Sequence, residues 1–134
     1  MNLSKLIIAA ILATPPMSTM SSLEDAIWAV ETGRSGGPVV GDGGAALGPL
    51  QIHECCWQDV RLEDEEYSDC SSLAYSLVVF RRYMGRYATE GRLGEVTDES
   101  RARIWNGGPR APWATGQKKA NLDRYWGRVK AAMK

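Results

Sequence analysis

The chain has 134 residues, 44% of them hydrophobic and 24% charged, with 16 basic and 16 acidic side chains that cancel. This leaves room for one compact domain with its own core, and no internal repeat or low-complexity stretch marks a second unit. No recognition motif accompanies the basic residues, so a nucleic-acid role is not expected.

At the amino terminus Lys5 precedes the apolar run LIIAAILA, and TPPMSTMSS follows. This is the layout of a secretory signal over residues 1–20, and the run is too short to span a bilayer comfortably. A buried amino-terminal helix is the alternative. No clean A-x-A stands near Pro15 and Pro16 to fix a cleavage site. Removal leaves a domain over residues 21–134, secreted or periplasmic and without stable membrane insertion.

Ser21 or Ser22 can cap a helix, Glu24 and Asp25 are placed to complete a capping box, and Thr32-Gly33 supplies a stop. The spacing predicts a helix over 23–33. Leu23, Ile27 and Glu31 fall at i, i+4 and i+8 beside Ala26 and Val30, so Glu31 sits on the face to be buried unless the last turn frays outward. Burial and the negative end of the helix dipole both raise its pKa. Asp42 has the opposite setting. Gly41, Gly43 and Gly44 flank it in a turn after Pro38-Val39-Val40, read as a short β-hairpin in which water and backbone N–H groups keep it ionised. Alone it is a turn residue; paired with Glu31 it fits the protonated acid and ionised carboxylate that cleave a glycosidic bond.

Gly48-Pro49-Leu50-Gln51-Ile52 leads into a second helical stretch with Trp57 facing inward. Asp69 and Ser71 offer caps for a long helix whose Leu73, Leu77, Val78, Phe80, Met84 and Tyr87 read as core. Thr97 with Asp98 and Glu99 opens a helix that stops at Asn106-Gly107-Gly108-Pro109. Thr115 or Gly116 begins a last helix containing Leu122, Tyr125, Trp126 and Val129. The count is about five helices and one small β excursion, an α+β domain of mainly α kind.

Of the five tryptophans, most belong in a core. Trp105 and Trp113 border glycine and proline turns, where an indole can instead lie open as a platform for a sugar ring. Asn106 either caps its helix or offers its amide to a substrate N-acetyl group or hydroxyl. Cys55 and Cys56 are adjacent and rarely bond each other, so a bridge from Cys70 to one of them is one reading and buried free thiols the other. No Cys/His spacing supports a metal, His53 is the sole histidine, and no cofactor is expected. Acidic residues gather between Glu54 and Asp69 and basic ones between Arg101 and Lys134. These read as solvated helix faces or, at the basic end, as a surface that holds an anionic polymer.

The series Glu31, Asp42, GPLQI (48–52), CWQD (56–59), YMGRYA (83–88), RIWNGGPR (103–110) and RYWGRV (124–129) resembles the invertebrate-type, or destabilase-like, lysozymes, in family order across nearly all of 21–134. A Glu followed by G-x-x-Q-I also occurs in lytic transglycosylases of the wider superfamily; the combination with NGGP and the late YW makes the resemblance specific. It implies a lysozyme-like fold with the hairpin next to an active-site cleft. It also implies hydrolysis of the β-1,4 bond between N-acetylmuramic acid and N-acetylglucosamine in peptidoglycan glycan strands; separately, the protein is expected to be a monomer. Glu31 matches the general acid and Asp42 the second carboxylate. Gln51, Ile52, Asn106 and Gly107 match positions beside the cleft, where Trp105 and Trp113 join them as substrate-binding candidates. The chain departs from the disulfide-dense family at Tyr75 and Val79, around which cysteines are expected. Trp105 replaces the histidine before NGGP, and His53 a lysine often found after Q-I, so the isopeptide cleavage of some relatives is not expected. The competing readings are a lytic transglycosylase, which needs only Glu31, and a non-catalytic wall-binding protein; the presence of both acids favours the hydrolase.

Overall fold

The computed structural model describes residues 19–133. Of the stretch 1–20 read as a signal, residues 1–18 lie outside that range, while Met20 packs against the core. The first helix, α1 (Ser22–Thr32), begins and ends one residue earlier than the spacing predicts. The Ser21 hydroxyl accepts from the Glu24 N–H, and the Glu24 carboxylate accepts from the Ser21 N–H. Gly33 closes the helix at φ 63, a left-handed conformation that glycine adopts without a Cβ clash. Leu23, Ala26 and Ile27 bury the predicted stripe.

Glu24 joins them in the core at 5% exposure, which the stripe did not foretell. The Arg81 guanidinium compensates, with Nε 2.7 Å from Oε2 and Nη2 3.1 Å from Oε1. Burial pushes this carboxyl up, but the bonds from Arg81 and Ser21 outweigh burial and hold it below the ordinary glutamate value.

The glycine-rich stretch forms an antiparallel sheet of β1 (Val40–Gly41), β2 (Ala46–Leu47) and β3 (Ile52–His53), with Val40 opposite Leu47 and Ala46 opposite His53. The expected hairpin thus gains a third strand. The cause is the tight turn at 48–51, where the Gln51 N–H donates 3.0 Å to the Gly48 carbonyl and Ile52 folds back beside Leu47. Gly48 suits this turn twice over: its φ is +84, and a Cβ there would lie 1.7 Å from the Cys70 carbonyl oxygen.

After the sheet, α2 (Glu54–Val60) buries Trp57, whose indole N–H donates 2.9 Å to the Tyr75 hydroxyl. The central helix α3 (Leu73–Tyr87) buries Leu73, Leu77, Val78, Phe80 and Met84 as its periodicity predicts. Its cap is Ser72 rather than Asp69 or Ser71; Asp69 instead closes the preceding 3₁₀ turn Tyr67–Ser71 by accepting from the Glu66 N–H. Then come α4 (Glu90–Leu93), α5 (Asp98–Gly107) capped by Thr97, and α6 (Gly116–Ala132) entered from Thr115. The described residues therefore hold six α-helices, where about five were expected; α4 is too short for a periodic pattern to reveal. Helix α6 packs on both α1 and α5, so the last helix closes over the first. The three cysteines are free thiols, with Cys70 buried and Cys55 exposed, which answers the open question of a bridge. No helix among the described residues is long and apolar enough to cross a membrane.

Candidate active site

Glu31 sits in the last turn of α1, where α6 crosses it. The Tyr125 hydroxyl, on the buried face of α6, donates 2.9 Å to Glu31 Oε1. Burial pushes the Glu31 carboxyl up, and the opposing pulls of the Tyr125 bond and the Arg128 charge do not cancel that effect. Burial, with the carboxylate beside it, also pushes the Tyr125 phenol well above its usual value, so it stays a donor. The end of α1 is pinned on either side. The Thr32 hydroxyl donates 2.8 Å to the Pro49 carbonyl in the turn before β3, and the Trp28 indole N–H donates 2.7 Å to the Ser35 carbonyl. A glutamate so fixed does not fray outward.

Asp42 lies in the turn between β1 and β2 with φ 52, a left-handed position that aspartate tolerates better than most residues. Its side chain is 67% exposed, and Oδ2 stands 3.1 Å from His53 Nε2 on β3. The register explains this contact: Ala46 faces both Gly41 and His53, which brings the two outer strands' ends to the same turn.

The other candidates divide. Gln51, also at φ 52, spends its amide donor on the Val39 and Gly48 carbonyls at 3.1 and 3.0 Å. Its Oε1 lies where a Cβ on Gly41 would be, only 2.0 Å away, so Gln51 braces the sheet that carries Asp42. Ile52 is buried at 1% exposure and belongs to the core. Trp105 is half-buried and packs edge-on against Phe80 and Tyr83, with ring centroids 5.1 and 6.0 Å apart, at the margin of the core. Gly107 allows α6 to approach: a Cβ there would lie 2.8 Å from Leu122 Cδ2. Asn106 is exposed in the last turn of α5, and Trp113 is 56% exposed with the Arg92 guanidinium 5.5 Å from its ring.

Two neighbours of the acids were read from sequence only as core or as a departure. Tyr125 looked like one more apolar position of the last helix, and its partner lies 94 residues away, beyond any local pattern. His53 was legible in principle, since extending the hairpin to a third strand places it beside Asp42. What results is one carboxyl raised and oriented by a phenol, and one exposed carboxylate on the sheet that the Thr32–Pro49 bond ties to the end of α1. Such a pair can serve as a proton donor and a second carboxylate, and no group of side chains among the described residues could hold a metal ion.

A mainly helical domain with a small antiparallel sheet and a half-buried glutamate at the end of its first helix is lysozyme-like in fold. Solved structures agree. A chain of the crystal structure of Aeromonas hydrophila PliI in complex with Meretrix lusoria lysozyme aligns with a TM-score of 0.68 and 26% identity, covering 83% of this chain and 88% of that chain. The crystal structure of Tapes japonica lysozyme aligns with a TM-score of 0.67 and 25% identity, covering 82% and 87%. No family model and no curated protein sequence matches the chain.

Proposed function

We propose that the chain is a lysozyme-type peptidoglycan hydrolase that cleaves the β-1,4 bond between N-acetylmuramic acid and N-acetylglucosamine. The observation that carries this reading is the raised, Tyr125-bound carboxyl of Glu31 on a fold shared with solved lysozymes. Glu31 gives its proton to the glycosidic oxygen as the bond breaks, and Asp42 supports the positive charge that develops on the sugar ring. Water then completes the reaction, with Glu31 taking back a proton. Asn106 and Trp113 remain open to the glycan, while Gln51, Ile52, Trp105 and Gly107 shape the scaffold around it. Export directed by residues 1–20, and action as a monomer in the periplasm or outside the cell, belong to the same reading.

A second reading is favoured by one feature: the Asp42 carboxylate is largely exposed and turned to His53, which leaves the chemistry free to rest on Glu31 alone, as in a lytic transglycosylase. Product analysis decides. Digested peptidoglycan should yield muropeptides with free reducing ends, which mass spectrometry separates from 1,6-anhydromuramic ends by the mass of one water. Predominantly anhydro products would replace the hydrolase with the transglycosylase. Absence of any released muropeptide from the folded protein would remove both.

A further inference from the structure

An open pocket of about 530 Å³, whose lining includes neither Glu31 nor Asp42, is formed by Arg92, Arg110, Trp113, Ala114, Thr115 and Lys118, three cations and no acid. Arg92 is structurally committed: it donates to the Tyr87 and Pro109 carbonyls and lies over the Trp113 ring. Arg110 and Lys118 are not. Both are exposed, and neither side chain has an ion-pair or hydrogen-bond partner among the described residues. By contrast Arg34, Arg81, Arg82, Arg86, Arg101 and Arg103 each face a carboxylate within 3.2 Å. The acids of α5 and α6 are already engaged, Asp98 by Arg101, Glu99 by Arg103, and Asp123 by Arg103 and Lys119.

Trp113 is the exposed tryptophan of this chain, and it stands among these unpaired cations. An open indole and neighbouring like charges are both unfavourable in water. A ligand that covers the ring and neutralises the charges relieves both. Helix α6 starts beside the pocket with no acid in its first turn and no side-chain cap from Thr115, so its amide end reinforces the positive field already set by the side chains.

We propose that this pocket is a subsite for an anionic saccharide, a sugar ring stacked on Trp113 with its phosphate or carboxylate held between Arg110 and Lys118. That the sugar comes from a cell wall rests on the proposed function; that the ligand is anionic rests on the pocket alone. The pairing of a flat aromatic face with charge-assisted donors selects a sugar that carries charge over either a neutral sugar or a bare anion.

The test is a titration of the intact protein followed by the ¹⁵N shift of the Trp113 indole N–H, assigned through Trp113→Phe. The probes are N-acetylglucosamine, N-acetylglucosamine 6-phosphate, N-acetylmuramic acid and inorganic phosphate; none contains a bond to cleave, so binding is read without turnover. A saturable shift is expected with the 6-phosphate, with muramic acid or with both, and the responding probe identifies phosphate or carboxylate as the recognised group. Neutral N-acetylglucosamine and inorganic phosphate should bind at least about tenfold more weakly, and the Arg110→Ala/Lys118→Ala double variant should lose about tenfold in affinity for the anionic sugar. No shift with either anionic sugar, equal binding of the neutral sugar or of inorganic phosphate, or unchanged binding by the double variant overturns the proposal. A wall-lysis assay of the wild type reports separately. Binding without lysis removes the proposed function and keeps the subsite, and lysis without binding does the reverse.

Discussion

Tyr125 on α6 donates a 2.9 Å hydrogen bond to Glu31 Oε1 at the end of α1, so the residue proposed as proton donor is held by the last helix of the chain. Two opposing requirements meet there. An acid catalyst must keep its proton near neutral pH, which burial favours, and it must point in one direction, which needs a bonding partner that draws the pKa down again. Burial is the larger effect, with the Tyr125 bond and the Arg128 charge moderating it. The site thus depends on the packing of α6 against α1 and not on either helix alone.

Replacing the acid tests catalysis and linkage together. Glu31→Gln should lower wall lysis by roughly two to four orders of magnitude, because the leaving oxygen loses its proton donor. Its folded pKa lies above the ordinary value of 4.5, so between those two pH values the folded chain holds a proton that the unfolded chain has released. Stability therefore falls as pH rises through that window. The glutamine variant escapes this penalty. It should melt at a higher temperature than wild type at neutral pH, with the difference closing below the unfolded value. Equal lysis by a folded Glu31→Gln protein would refute the assignment.

The phenol is tested by its effect on the pH profile. Tyr125→Phe removes a donor that favours the charged carboxylate, so the Glu31 pKa should rise further and the alkaline limb of kcat/KM should move to higher pH. Loss of orientation should lower kcat by about tenfold. A simple packing defect would reduce activity without moving the limb, and that outcome would leave Tyr125 no positioning role.

The parts of this arrangement that sequence revealed are those governed by local rules. The Ser21 box, the Gly33 stop and the i, i+4 stripe place Glu31 at the end of a buried helix face, and the glycines around Asp42 mark its turn. What stayed hidden depends on distant pairing. The ion pair of Glu24 with Arg81 joins residues 57 positions apart, and Glu24 read as nothing more than half of a capping box. The family resemblance sets Gln51 and Ile52 beside a cleft, but that the tight turn at Gly48 would make Gln51 brace the sheet and bury Ile52 was not visible in the local pattern. Short-range pattern carries no information on which face a turn of this kind will present.

The Glu24–Arg81 pair makes its own prediction. Glu24 is 6% exposed at its side chain but Arg81 is 39% exposed, so solvent screens one end of the pair. Arg81→Ala should therefore cost about 2 kcal/mol in urea unfolding, below the range for a fully buried pair. Because the folded Glu24 pKa is depressed, its contribution is complete above the ordinary glutamate value of 4.5 and disappears as pH falls through the lower folded value. The gap between wild type and Arg81→Ala should narrow over that acid range. A gap that is constant with pH would show that the charge pair adds nothing.

The thiols distinguish a fold held by its core from one held by cross-links. Burial pushes Cys70 up to about 12, and burial with neighbouring Cys55 and Cys70 pushes Cys56 up to about 12, whereas Cys55 is exposed. Iodoacetamide needs a thiol that is accessible and whose thiolate is not suppressed by burial, so native protein at about pH 8 should be alkylated at exposed Cys55 while Cys56 and Cys70 stay protected. All three should react once the chain is unfolded in urea. Intact-mass spectrometry counts the adducts, and peptide mapping places them. Since no bridge closes a loop, a mild reductant should leave the melting temperature unchanged. A native mass short by two hydrogens, together with a melting temperature that drops on reduction, would show that Cys70 is bridged after all and that the core around Leu77 and Val79 carries less of the stability than its packing indicates.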